Sequence, residues 1–147
     1  MAWTNILGQI RVGVRNQTQV QTTSLLLDSY SGAAAAYSLR KLSGTDTGSA
    51  IRVTRSSDNT EQNIGFDAGG KLNTVALLAF VGSGNGFVTT WYDQSGNGFN
   101  MVQTTAANQP QIVSSGSIIL QGSKPSIQWD GINENLSCTL TGRSVSG

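Results

Sequence analysis

Hydrophobic side chains in this chain come in short alternating groups, separated by polar and glycine-rich punctuation. Ile51-Arg52-Val53-Thr54-Arg55 alternates strictly, residues 56–60 turn, and residues 61–66 return with Ile64 and Phe66 answering Ile51 and Val53. This pattern predicts a β-hairpin with a longer loop. Phe87-Val88-Thr89-Thr90-Trp91-Tyr92 is β-branched or aromatic throughout and predicts a strand. Ser95-Gly96-Asn97-Gly98 then supplies a turn, and residues 99–103 return. Further strands are predicted over 111–113, 117–120, 125–129 and 136–140.

Two stretches carry helix signals. Ser31 can cap, four alanines at 33–36 propagate, Arg40 and Lys41 suit the negative end, and Gly44 follows the stop. That predicts a short helix over about 31–42. Asn73 caps a second over about 73–81, broken by Gly82-Ser83-Gly84-Asn85-Gly86. At the N-terminus, Ile10, Val12 and Val14 share one side of an alternating segment, and Val20 is the single aliphatic residue of a polar β-tolerant stretch. Residues 1–27 therefore read as an extended arm whose docking side chains are Trp3, Ile10, Val12, Val14 and Val20. A disordered tail is the alternative reading.

The expected fold is mainly β: an antiparallel β-sandwich or jelly-roll-like body, two short helices and the N-terminal arm. The expected organisation is an arm at 1–27, a β-rich domain at 28–114 and β-hairpins at 115–147. Composition agrees. Charged residues make up only 12% and Gly accounts for 18 of 147 residues, whereas long helices need charged side chains on their wet face. The net charge is +1 with no basic run, which argues against nucleic-acid binding. Histidine is absent, so a Ser-His-Asp triad is excluded, as is the commonest transition-metal ligand. The single cysteine, Cys138, permits no intrachain disulfide and reads as a small packed side chain. No cofactor is expected. The first residues lack the basic and apolar regions of a signal peptide, and no apolar run approaches the ~20 residues of a membrane span.

Candidate chemistry centres on Asp93, with Trp91 and Trp129 as aromatic faces that a pyranose ring could cover. These are the candidate carbohydrate contacts. Asp93 is followed by Ser95, Gly96 and Gly98, the residue types of an Asx-type turn, and that structural use is the favoured one. A glycosidase would need a second carboxylate, ~5 Å away for retention or ~6.5–9.5 Å for inversion, and none is marked by local arrangement. Asp58 to Glu61 and Asp130 to Glu134 offer oxygens to a cation, but turns use the same residues. The Gly82–Gly86 loop follows a helix and precedes a strand, the wrong order for a phosphate loop.

Three resemblances emerge from these motifs. Ile51 to Asp58, Asn63-Ile64-Gly65-Phe66 and Trp91-Tyr92-Asp93-Gln94-Ser95-Gly96-Asn97-Gly98 resemble the arabinofuranosidase B catalytic domain over about residues 37–103. That resemblance implies a concanavalin A-like β-sandwich, with the family's catalytic carboxylates downstream of the matching segment, so no catalytic residue carries over. Met101 stands where the family continues with His, and the family's cysteines are absent. Lys124 to Leu136 resembles the opening of concanavalin A-like, laminin-G-like domains. The wider combination over about residues 24–114 is similar to bacteriophage structural proteins. It implies a non-enzymatic virion component, a head or tail fibre or appendage, made in a host cytoplasm and located in the virion. Its expected partners are other virion proteins of the capsid or tail, further copies of itself as a homotrimer, and cell-surface carbohydrate, with no nucleic acid and no membrane insertion. A glycoside hydrolase of arabinofuranosidase-like fold, or the front part of one, is the alternative.

Overall fold

The computed structural model of the protein describes residues 24–139. The arm side chains Trp3, Ile10, Val12, Val14 and Val20 lie outside the described residues. The described chain is mainly antiparallel β with two helices: α1 (Leu26–Ser29) and α2 (Thr74–Val81). Its main sheet contains β1 (Ile51–Arg55), β2 (Glu61–Ile64), β3 (Gly86–Trp91), β4 (Met101–Val102), β5 (Gln111–Ser114) and β6 (Ser117–Ile118). The strand order is β2-β1-β3-β5-β6, with β4 pairing the end of β3. A small second ribbon joins β7 (Leu120–Gln121) to β8 (Lys124–Pro125).

The hairpin expected at 51–66 forms as β1 and β2, with Ile51 opposite Ile64 and Thr54 opposite Glu61. Its turn places Asn59 at φ 58°, a left-handed conformation that asparagine tolerates. Alternation buries Ile51, Val53 and Ile64, which meet Val88 of β3 and Ile112 and Val113 of β5 in a single core. Helix α2 covers this core with Leu77, Phe80 and Val81 while Val75 faces outward. Asn73 caps it by accepting the Ala76 N–H, and Gly82 closes it at φ 67°. Arg55 ties helix to hairpin: it donates to the Phe80 carbonyl at 3.1 Å, lies over the Phe80 ring and pairs with Asp58.

The helix expected over 31–42 is absent. That segment is extended and irregular, and the one helical turn of this region lies earlier, at Leu26–Ser29. An alanine-rich helix of this length is marginal in water, so competing partners for its backbone decide the outcome. Here those partners come from residues 93–97, as described below. The return strand after β3 is shorter than expected, only β4, although Val102 also exchanges backbone hydrogen bonds with Ser137. Residues 125–129 form a strand only at β8 and at a bridge pairing Gln128 with Gln111.

Gly86 tests the packing. A Cβ there would stand 3.0 Å from Val81 Cγ2 and 3.2 Å from both Val113 Cβ and Val53 Cγ1, all buried. Overpacking of this kind costs about 1–3 kcal/mol, so Gly86→Ala is expected to lower the unfolding free energy measured by urea denaturation by that amount. Gly65→Ala, where a Cβ meets nothing within 4 Å, is expected to stay within about 0.5 kcal/mol of the parent.

Candidate functional site

Strand β3 delivers Asp93 to the point where the chain reverses. Gly96 and Gly98 adopt φ 87° and 76°, so the reversal needs residues without a Cβ. The Asp93 carboxylate accepts four hydrogen bonds. Oδ1 takes the N–H groups of Ser95 and Ala36 at 2.8 Å each, and Oδ2 takes the Ser95 hydroxyl at 2.7 Å and the Phe99 N–H at 3.1 Å. Burial by itself raises the Asp93 pKa, but these donors outweigh it and hold the group below its ordinary value. Asp93 is an ionised structural acceptor.

Its neighbours continue the same task. Gln94 is buried; its Oε1 accepts the Leu42 N–H at 2.7 Å while its Nε2 donates to the carbonyls of Ser38 and Arg40 at 3.0 Å. The Gln94 N–H donates to the Ala36 carbonyl, and the Asn97 amide donates to the carbonyls of Ala33 and Ala34. Backbone groups of Ala33, Ala34, Ala36, Ser38, Arg40 and Leu42 are thus satisfied by one loop, while Lys41 and Leu39 bond Gly70 and Leu72 instead. Small alanine side chains let the two backbones approach. The turn chemistry of this loop was legible in its residue types, whereas its hold on residues 33–42 was not, because no local pattern reports a partner about 60 residues away.

Two clefts flank this junction. The first, about 520 Å³, is polar and includes Asp28, Asp46 and Asp93 in its lining. All three carboxylates are engaged: Asp28 accepts the Gly44 N–H, Asp46 the Gly48 N–H, and Asp93 the four donors above. The second, about 670 Å³, is aromatic and basic, with Tyr37, Arg40, Lys71, Trp91, Lys124 and Trp129 among its lining residues. Trp91 packs between two rings, 6.0 Å from Tyr37 and 6.4 Å from Trp129 between centroids. Trp129 is 41% exposed, whereas the Trp91 Nε1–H is shut away from solvent without a partner among the described residues. Tyr37 donates its hydroxyl to the Phe99 carbonyl and contacts the half-buried Cys138 Sγ at 3.5 Å. Burial first, then Cys138, pushes the Tyr37 pKa well above the usual phenol range.

Of the three candidate carbohydrate contacts, the structure brings Trp91 and Trp129 together and places Asp93 at the other cleft. Tyr37 and Arg40, which the helix pattern had assigned to a helix, and Lys71 and Lys124 complete the aromatic cleft; isolated residues in separate turns leave no sequence signal. The acidic turns resolve as turns. Asp58 pairs with Arg55 and Glu61 with Arg52, while Asp130 accepts the Ile132 N–H and Glu134 the Asp130 N–H.

Ligand sites are commonly clefts lined by apolar and aromatic side chains with a few convergent polar groups, and the aromatic cleft has that makeup. Residues 28–124 match the family of the α-L-arabinofuranosidase B catalytic domain, and the chain belongs to that family. It is also similar to solved structures of an arabinofuranosidase complexed with arabinofuranosyl-α-1,2-xylobiose and of a GH54 α-L-arabinofuranosidase soaked with a cyclic sulfate inhibitor. Each is 35% identical over 48% of this chain, with a TM-score of 0.45. The chain spans only 15% of the length of those proteins. No curated protein matches it.

This membership corrects the expectation of a phage fibre, capsid or tail component. The stretch likened to virion proteins, about residues 24–114, largely overlaps the segment that matches a glycosidase family. It equally corrects the expectation that the chain is unrelated to catalysis, because the matching family is that of a catalytic domain.

The Asp93 network predicts a stability effect with a defined pH dependence. Asp93→Asn turns an amide N–H₂ against donors and is expected to destabilise the fold by about 2–4 kcal/mol near neutral pH, since hydrogen bonds to charged groups contribute roughly 1.5–3 kcal/mol each. Because the folded pKa is depressed, the carboxylate's contribution is full above its ordinary value of 3.8 and is lost as pH falls through the lower folded value. Urea denaturation at about pH 7 and about pH 3 should therefore show the gap between parent and variant narrowing in acid.

Proposed function

We propose that this chain forms scaffold within an α-L-arabinofuranosidase-type catalytic domain that removes arabinofuranosyl groups from larger saccharides. The family match across residues 28–124 carries this reading. The state of the carboxylates sets its scope. All eight Asp and Glu residues of the sequence lie among the described residues, and every one accepts a hydrogen bond from a backbone N–H or an arginine. A general acid for glycoside cleavage works best with a raised pKa, so that it still holds its proton near neutral pH. The carboxylates that are displaced here, Asp58, Asp93 and Asp130, are displaced downward. Their causes are the Arg55 guanidinium for Asp58, backbone donors overcoming burial for Asp93, and the Ile132 N–H for Asp130. The acids of this chain build turns and pairs, and the hydrolytic pair belongs to the remainder of the family's catalytic domain.

The test is release of 4-nitrophenol from 4-nitrophenyl α-L-arabinofuranoside, measured for the complete polypeptide containing this chain and for residues 1–147 alone. Turnover by the former and none by the latter is expected. Absence of turnover by the complete polypeptide overturns the glycosidase reading, and turnover by residues 1–147 alone overturns the scaffold role.

A further inference from the structure

The aromatic cleft carries a charge pattern that a neutral arabinosyl substrate does not explain. Six basic side chains lie among the described residues: Arg40, Lys41, Arg52, Arg55, Lys71 and Lys124. Arg52 and Arg55 are in ion pairs with Glu61 and Asp58. Of the other four, Arg40, Lys71 and Lys124 line this one cleft, all exposed, and its lining contains no carboxylate. Three of the eight acids, Asp28, Asp46 and Asp93, line the polar cleft instead, where their oxygens are already occupied.

Backbone geometry sharpens the point. Arg40 and Lys71 are partners in an antiparallel bridge. Lys41 N–H donates to the Gly70 carbonyl and Leu72 N–H to the Leu39 carbonyl, so the bonds flank the pair and leave Arg40 and Lys71 as its non-hydrogen-bonded members. Side chains at such a pair approach most closely and point to the same side. Two like charges placed there repel each other, and an anion between them would relieve that repulsion. Beside them Trp129 offers an exposed indole, backed by Trp91. A pyranose ring covers an indole through its C–H face by dispersion.

We propose that this cleft binds an acidic saccharide: a uronic acid residue whose ring lies on Trp129 and whose carboxylate meets Arg40, Lys71 and Lys124. The site would let the protein hold an acidic polysaccharide independently of any bond it cleaves. The inference does not require glycosidase activity, and its readout is binding alone.

The experiment is titration calorimetry of the chain with trigalacturonic acid, its methyl ester and neutral xylotriose. The acid should bind at low salt, and about 0.5 M NaCl should weaken it several-fold as the charges are screened. The ester and xylotriose should bind at least about fivefold more weakly, since neither offers a carboxylate to the exposed cations. Trp129→Ala and the double variant Lys71→Gln/Lys124→Gln should each lose about fivefold or more, with thermal midpoints checked to show that both remain folded. Lys41→Gln, which removes a cation that lies outside the cleft and makes no ion pair among the described residues, should change affinity less than about twofold. Equal binding of acid and ester, an equal loss from Lys41→Gln, or no binding of the acid overturns the proposal.

Discussion

The structure depends on backbone groups at Ala33, Ala34, Ala36, Ser38, Arg40 and Leu42 being satisfied from across the chain by residues 93–97. Each buried N–H or C=O left unpaired costs about as much as a lost hydrogen bond, so an extended segment must find partners for all of them. Asp93 and Gln94 supply the most decisive ones, reaching Ala36, Ser38, Arg40 and Leu42. That contact anchors the segment on which Tyr37 and Arg40 stand, and hence one wall of the aromatic cleft. In this chain the carboxylate of the motif holds two distant parts together.

Electrostatics divides the molecule in two. Acidic groups are spent on turns, where backbone N–H donors stabilise the ionised form, and on two arginine pairs at the hairpin. Among the described residues, three of the four basic groups outside those pairs line the aromatic cleft. The aromatic cleft thus gathers Arg40, Lys71 and Lys124, which make no ion pair among the described residues, in a chain whose composition looks nearly neutral.

Wherever structure follows from neighbouring residues, the sequence pattern was readable. Alternation gave the β1–β2 hairpin, β-branched and aromatic residues gave β3, and Asn73 with Gly82 bracketed α2. The short motif around Asp93 was recognisable both as a turn and as a family signature. The likeness to virion proteins misled because it rested on the same segment that defines the glycosidase family. Four alanines between a serine and two basic residues spelled a helix, and the expectation failed because helix propensity is a weak preference that tertiary partners override.

By itself, the sequence determined the β-rich class, the main hairpin, the position of α2 and the turn at Asp93, since each depends on side-chain period or on residues a few positions apart. Only the tertiary structure decided that residues 31–42 run extended, that Trp91 and Trp129 meet while Asp93 faces another cleft, and that Arg40 and Lys71 stand opposite each other. Those outcomes rest on contacts between residues tens of positions apart. Their partners are chosen by which backbone groups remain unpaired once the sheet and core have formed.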